Sequence, residues 1–276
     1  MTVDDAGRPT GTIGVAFDVT EREERAANLV RRVAEERAVV EVVQHAVLPK
    51  VLPTVPGVQL AARYVAAPGN IAIGGDWYAS VPLADGRLGI AIGDVAGHGI
   101  DAVAEMAHAR FSLRALAGLG GDASEVLGRL GMLVRTFSPG TMITALYGIL
   151  DPTTGRFECA VAGQCPPVVR DPRGHARLLT LRPGPPLGFD VGYVAEEARF
   201  EPGSSLVLYT DGLVERRGEH LDRGFERLLG ATASGPDAPE LLCEHLLATM
   251  HTGVHCDDTA VLVVQFDDLS APPHSA

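Results

Sequence analysis

One lysine, Lys50, stands in 276 residues, although Lys and Arg together number 23 against 35 Asp and Glu. A Walker-type phosphate loop needs a lysine after its glycines, so that loop is excluded. The charge balance is −12 at pH 7. A nucleic-acid partner requires a basic surface, so no nucleic acid is expected. Cysteine is scarce. Cys159, Cys165, Cys243 and Cys256 form no C-x-x-C pair, which leaves zinc-ribbon and thioredoxin-type sites unsupported; free, mostly buried thiols are expected. No apolar run approaches the ~18 residues of a membrane span, so no membrane insertion is expected. The opening MTVDDAGRPT lacks the basic and apolar regions of a signal peptide, which makes the cytoplasm the expected compartment. Apolar residues still make up 46%, enough for one large domain plus a short extra segment.

Along the chain the texture changes twice. GTIGVAFDV, residues 11–19, reads as a short strand. A highly charged helical run follows, in which Ala26, Leu29, Val33, Val40, Val43 and Val47 keep a 3-4 repeat that Glu36 interrupts. Three heptads are the lower limit for a coiled coil, so a coiled coil and an ordinary amphipathic helix are both open. The prolines of PKVLPTVP end this helix near Leu48. Beyond Pro56 come candidate strands: VQLAARYVAA, WYASVPL, RLGIAIGDV, TMITALYGIL, GRFECAVAG, ARLLTL, SLVLYTDG and TAVLVVQF. Asp-Gly in ADGR, residues 84–87, suits a tight primed hairpin turn; DPTTG, 151–155, is a longer one. Helices are expected over 100–117, with Val103, Ala107, Phe111 and Leu113 as apolar positions, and over 122–136, capped by Asp122. Two more are expected over 219–229, ended by Gly230, and over 237–250, opening on Asp-Ala-Pro-Glu. Strands outnumber helices and run in hairpins, so the fold class is α+β with largely antiparallel sheets. The tail, 269–276, is expected to be disordered.

Aspartates sit at four strand ends. Asp94 closes LGIAIGD, Asp76 follows two glycines in IGGDWY, Asp211 closes LVLYTDG, and Asp257 with Asp258 opens the last strand. Any one alone is explained as a turn or cap residue. If the four converge, each like-charge pair at ~4 Å costs on the order of 1–4 kcal/mol, and cations must neutralise them. An all-oxygen donor set without His or Cys favours magnesium or manganese over zinc. A rival reading starts from Gly97-His98-Gly99-Ile100-Asp101-Ala102, which matches the dinucleotide fingerprint G-x-G-x-x-A with Asp122 about 20 residues on. That acid follows GLGG and caps a helix, and no parallel βαβ unit is readable, so this reading is weak.

Together GGDWY at 74–78, DGRLGIAIGDVAGHGIDA at 85–102, LYTDGLVE at 208–215 and DDTAVLVV at 257–264 resemble the SpoIIE-like branch of the metal-dependent (PPM) protein serine/threonine phosphatases. PGTMITALYGILDPTTGRFECAVAGQCPPVV, 139–169, is similar to that family's central hairpins. The resemblance covers about residues 50–266, with the motifs in family order. GTIGVAFDVTERE resembles the last strand and exit of a PAS sensor domain, most of which would be absent. The implied layout is a PAS-like remnant over 1–20, a linker helix over 21–49 and a phosphatase domain over 50–268.

The resemblance implies a four-layer α-β-β-α sandwich with two Mn2+ or Mg2+ ions at one edge. Asp94 would bridge both ions and the Val95 carbonyl would help hold one. Asp76 would serve one ion, Asp211 and Asp257 the other, with Asp258 behind them. Asp76 and Asp94 would be catalytic through metal-activated water attacking a phosphoserine or phosphothreonine in line. The implied partner is a small phosphoprotein of the anti-sigma-factor antagonist type; a homodimer through 21–48 is expected from the helical seam. A catalytically silent signalling module of the same fold is the alternative, against which the intact Asp76, Asp94, Asp211 and Asp257 argue. Three departures from the family pattern stand out, and His98 has two readings. Ala79 replaces a frequent acid, with either a weaker auxiliary metal contact or no effect. Gln164 and Cys165 stand where AGHPP is usual. No Lys or Arg lies between Tyr64 and Asp85, which leaves Arg63 as a substitute phosphate clamp or a plain surface arginine. His98 reads as a proton donor or as a turn residue at a helix N-terminus, where the charged form is disfavoured.

Overall fold

The computed structural model describes residues 2–3, 5–11, 28, 31, 48–49, 51–66, 74–189, 191–251 and 257–267. The expected 11–19 strand, the 21–48 helix with its heptad seam, Cys256 and the 269–276 tail lie almost wholly outside these residues. Asn28 and Arg31, both helical, are the described points of the 21–47 stretch.

A small antiparallel pair, β1 (Thr2–Val3) and β2 (Pro9–Gly11), opens the chain. The main body runs β3 (Val58–Val65), β4 (Trp77–Pro82), β5 (Leu88–Val95), α1 (Ile100–Gly118), α2 (Ala123–Phe137), β6 (Ile143–Asp151) and β7 (Arg156–Ala162). It continues through β8 (Val168–Arg170), β9 (Ala176–Leu178), β10 (Glu196–Arg199) and β11 (Ser205–Tyr209). A 3-10 turn (Asp211–Leu213), α3 (Leu221–Ser234), α4 (Pro239–Met250) and β12 (Thr259–Phe266) complete it. Two five-stranded sheets form, in the orders β10-β7-β6-β5-β4 and β3-β12-β11-β8-β9, and every strand pair is antiparallel.

Both faces of each sheet are covered, which explains why the central strands read as nearly unbroken apolar runs. In β5, Leu88, Ile90 and Ile92 enter the core between the sheets, whereas Ala91 and Val95 pack under α1 and α2. In β12, Ala260, Leu262 and Val264 face the inter-sheet core and Val261 and Val263 face α3 and α4. The result is the four-layer α-β-β-α sandwich. No helix among the described residues is long and apolar enough to cross a membrane.

Several local expectations need correction. The hairpin at 83–87 forms, but it is not a primed turn. Such a turn needs positive φ at both central residues, and only Gly86 (φ 85°) has it; no non-glycine does. Gly86 N–H donates to the Leu83 carbonyl at 3.0 Å and Leu83 N–H to that of Arg87 at 2.8 Å, so a three-residue loop joins the strands. In α1 the buried seam is Val103, Met106, Arg110, Leu113 and Ala117, while Phe111 is exposed. A charged residue inside the seam disguises its period; Arg110 Nε donates to the Tyr78 carbonyl at 3.0 Å.

Helix α3 runs past Gly230 to Ser234, because Leu228 and Ala231 keep its apolar face going. Its end is met by a buried arginine: Arg170 donates to the Thr232 and Gly235 carbonyls at 3.3 and 2.7 Å and to that of Pro236 at 3.1 Å. Asp237 accepts from the same guanidinium at 2.9 Å, so Ala238, not Asp237, caps α4. ARLLTL forms strand only over Ala176–Leu178, and the expected set omits β8 and β10. Strand β10, EEAR, has no apolar alternation. It is recruited by register on β7, with Arg156 Nε donating to Glu197 at 2.9 Å.

Candidate active site

The alternation of β5 carries Ile90, Ile92 and then Asp94 toward the space between the sheets, at the open end of the sandwich. Asp76, just before β4, arrives at the same end and is 3% exposed. Thr210, which follows β11, donates from its hydroxyl to Asp76 Oδ2 at 2.7 Å and accepts from the Ala260 N–H at 2.8 Å. One hydroxyl therefore joins β11 and β12 of one sheet to the Asp76 carboxylate at the edge of the other. Asp211 opens the 3-10 turn, its carbonyl accepting from the N–H groups of Val214 and Glu215 at 2.8 and 2.7 Å. Asp257 is exposed and its carboxylate accepts from Asp258 N–H at 2.8 Å. Asp258 itself is buried at 4% exposure.

Close backbone approach makes this assembly possible. A Cβ on Gly74 would stand 1.6 Å from Asp258 Oδ2, and one on Gly75 would stand 2.2 Å from the Val95 carbonyl oxygen. Only glycine at these two positions lets the segment before β4 lie against both the last strand and the end of β5. Val95 N–H donates back to the Gly75 carbonyl at 3.2 Å.

The carboxylates feel one another. Burial, then the Asp94 charge, then Asp211 and Asp258 hold the Asp76 carboxyl well above the usual range, against the opposing Thr210 hydrogen bond. Burial, followed by Asp211, Asp257 and Asp258, pushes Asp94 up to about 6, against a lowering hydrogen bond with Asp76. Asp211 is raised by burial, Asp257 and Glu215. Among the described residues, no Arg or His ion-pairs with Asp76, Asp94, Asp211 or Asp257. Nor do three or more acidic, His or Cys side chains already converge as ligands around an ion do. Like charges at such range repel, so the end of the sandwich holds negative charge close by without drawing it together. An all-oxygen donor set, in which the Asp76, Asp94 and Asp211 carboxyls are raised and the Val95 carbonyl lies against Gly75, fits hard divalent cations. Burial, Asp211 and Glu215 push the neighbouring Cys165 thiol up to about 12, so no thiolate competes there.

The remaining candidates fall as follows. His98 is exposed in the turn before α1, flanked by Gly97 (φ 118°) and Gly99 (φ 88°). The dinucleotide reading falls, because β4, β5 and β6 are antiparallel neighbours and no parallel βαβ unit surrounds that turn. Arg63 points to the outer face, where it binds Glu244 of α4 at 3.0 Å, away from the carboxylates. Ala79 packs under the helices, so a side chain there faces away from the acidic end. Gln164 is buried between the sheets, with its amide on Tyr209 and Thr144. Sequence reasoning missed Thr210. The signal for Thr210 was present: in SLVLYT it follows Leu206 and Leu208 onto the inter-sheet face, a hydroxyl where an apolar residue is the rule.

The four-layer antiparallel sandwich is the fold of PP2C phosphatase domains, among them those of SpoIIE from Bacillus subtilis and SiaA from Pseudomonas aeruginosa. Residues 84–267 match the family described as Stage II sporulation protein E (SpoIIE), and the chain belongs to that family, a branch of the PPM phosphatases. Phosphoserine phosphatase RsbU of Bacillus subtilis (strain 168) is 30% identical over 179 residues, 63% of this chain and 50% of that protein. The chain thus spans about half the length of that relative. The RsbU and RsbW domains of Rv1364c from Mycobacterium tuberculosis share its fold with a TM-score of 0.71 at 31% identity, over 78% of this chain and 61% of that one. RsbX in complex with magnesium has a TM-score of 0.62, covering 79% of this chain and 99% of that one; at 19% identity it shows the fold alone.

Proposed function

We propose that the chain is a metal-dependent protein phosphatase acting on phosphoserine or phosphothreonine of a regulatory protein. The observation that carries this reading is the end of the sandwich where burial and the charges of neighbouring aspartates, Asp257 and Asp258 among them, raise the carboxyls of Asp76, Asp94 and Asp211, with no Arg or His ion-paired to those three among the described residues. RsbU, similar in sequence, is named a phosphoserine phosphatase, and RsbX, similar in fold, is described with magnesium. In this reading Asp94, Asp76, the Val95 carbonyl, Asp211 and Asp257 would together hold two Mn2+ or Mg2+ ions. Such ions lower the pKa of bound water and neutralise phosphoryl charge. The chain's own residues do the rest. Thr210 fixes the rotamer of Asp76 by its hydrogen bond. Asp258, lodged against Gly74, keeps that segment and the last strand in register and leaves Asp257 facing outward.

The proposed layout keeps residues 50–268 as the phosphatase domain, 21–49 as a linker and 1–20 as a PAS-like remnant. The proposed substrate is a phosphoprotein of the anti-sigma-factor antagonist type. Hydrolysis of an aryl phosphate tests the chemistry. Turnover is expected with manganese, none with excess chelator, and a loss of at least ~100-fold in Asp211→Asn with the melting temperature retained, because one ligand charge is removed from a unit whose parts act together. Equal turnover in chelator, or near-normal turnover of Asp211→Asn at saturating manganese, would overturn the assignment.

A further inference from the structure

The core between the sheets is almost entirely apolar, with Ile90, Ile92, Leu206, Leu208 and Leu262 at its centre. Apolar contact is non-directional. It holds the sheets together but does not fix their spacing to a few tenths of an ångström. At the acidic end that spacing decides how far the β5 carboxylate lies from the β11 carboxylate. Hydrogen bonds cross there. One is the Thr210–Asp76 link. The other runs through Gln164, which lies just after β7 and is 8% exposed.

Its geometry is specific. Thr144 Oγ1 donates to Gln164 Oε1 at 2.6 Å, and Gln164 Nε2 donates to the Tyr209 carbonyl at 2.9 Å. The orientation of the amide is set by chemistry, since a carbonyl accepts and cannot donate. Thr144 is the residue opposite Asp94 across β5 and β6. Tyr209 lies two residues before Asp211. Strand β8 pairs with β11 only as far as Val207, so the Tyr209 carbonyl lies past the end of that ladder, where the amide takes it. One side chain therefore ties the strand neighbour of Asp94 in one sheet to the strand leading into Asp211 in the other. It forms no hydrogen bond with a carboxylate.

Resting on the phosphatase reading above, we propose that Gln164 is a positioning residue: by clasping Thr144 to Tyr209 it sets the separation of the Asp94 and Asp211 carboxylates, and so tunes the affinity of the site for its divalent cations. Groups that orient ligands from behind in this way change metal affinity by ~10–100-fold when removed. Gln164→Met keeps the volume and the unbranched shape while removing both hydrogen bonds. Thr144→Val removes one of them from the opposite sheet, and so remains informative if the methionine variant fails to fold.

The experiment uses the full chain, stripped with chelator and titrated with manganese in a calorimeter, so that affinity is read without turnover. Aryl phosphate hydrolysis is then followed against manganese concentration. Each single variant is expected to bind manganese ~10-fold more weakly. The double variant is expected to lose little more than either single one, because both break the same link. The turnover deficit is expected to shrink as manganese is raised. A folded Gln164→Met or Thr144→Val that binds manganese as tightly as the parent would overturn the proposal while leaving the phosphatase reading intact. A parent chain that binds no manganese would overturn both.

Discussion

Asp94 titrates in a window of its own, and this gives the metal-free protein a definite pH response. Its carboxyl sits at about 6 in the fold against an ordinary value of 3.8, and Asp76 and Asp211 are displaced the same way. Between those two values the native state holds protons that the unfolded chain has released. The stability they contribute is therefore fully present below about pH 4 and is lost as pH rises through about 6. The carboxylates shifted in the opposite sense, such as Asp151 at about 2 and Asp122 at its helix cap, act only as pH falls below about 4, so the two effects separate. Chelated protein should melt at a higher temperature near pH 5 than near pH 7.5, and Asp94→Asn should narrow the gap. Saturating manganese should narrow it too, since cations remove the repulsion. A chelated protein whose melting temperature is flat over that range contradicts the account. At this scale the aspartates were legible because each stands at one end of an apolar strand, beside glycine or a second acid. Thr210 left only the trace of a hydroxyl at an inter-sheet position, and the partners of Thr210 and Gln164 were not legible: they depend on what faces them from another sheet, at separations of 134 residues for Thr210–Asp76 and 45 for Gln164–Tyr209.

Among the elements, the segment before β4 crosses the end of β5 in close backbone contact at the acidic end. Gly75 there leaves no room for a methyl group: it would meet the Val95 carbonyl oxygen at 2.2 Å and the Val95 Cβ at 2.5 Å, both on a central strand. Gly75→Ala must push the end of β5 away, and with it Asp94 and the Val95 carbonyl. A stability loss of ~1–3 kcal/mol is expected from overpacking. Because misplacing a reacting group by about an ångström can cost ~100-fold, turnover should fall further than stability. Denaturant unfolding and the manganese-dependent rate read these two quantities separately, and a normal rate would exclude the placement of Val95 at the metals. The same physics explains which elements could be read from the residues. Strands β5, β11 and β12 and helix α2 announce themselves through continuous apolar runs or a capping aspartate; Asp122 does accept from Glu125 N–H at 2.8 Å. The end of α3 was misread because a distant arginine, Arg170, satisfies carbonyls that a terminal glycine motif usually serves. Strand β10 was invisible because its register and its cross-strand Arg156–Glu197 pair place it, not its own pattern.

For the whole molecule, the open question is how residues before the sandwich reach its chemistry. The SpoIIE match begins at residue 84, and the helical stretch expected over 21–48 carries a seam suited to pairing two chains. The described end of that stretch supplies a physical connection. Leu48 packs on the apolar cores on both sides of the β4–β5 sheet, and the Pro49 carbonyl accepts from the Tyr78 hydroxyl at 3.5 Å. Tyr78 lies two residues after Asp76, and its own carbonyl is held by Arg110 of α1. Helix α1 begins six residues after Asp94. A displacement of the 48–49 segment is thus transmitted through Tyr78 to a helix and to two carboxylates. The hypothesis is that pairing of the 21–48 segments biases α1 between a competent and an incompetent position. A differential stabilisation of ~1.4 kcal/mol would change their ratio about tenfold. The alternative is that the segment merely tethers the domain. Removing residues 1–49 distinguishes the two, provided the truncated chain still melts cooperatively. Pairing predicts that its mass in solution falls to that of a monomer and that its manganese-dependent turnover of a phosphoprotein shifts several-fold. If the truncated chain keeps both the oligomeric state and the rate of the full chain, the control hypothesis is wrong and residues 21–48 act as a tether.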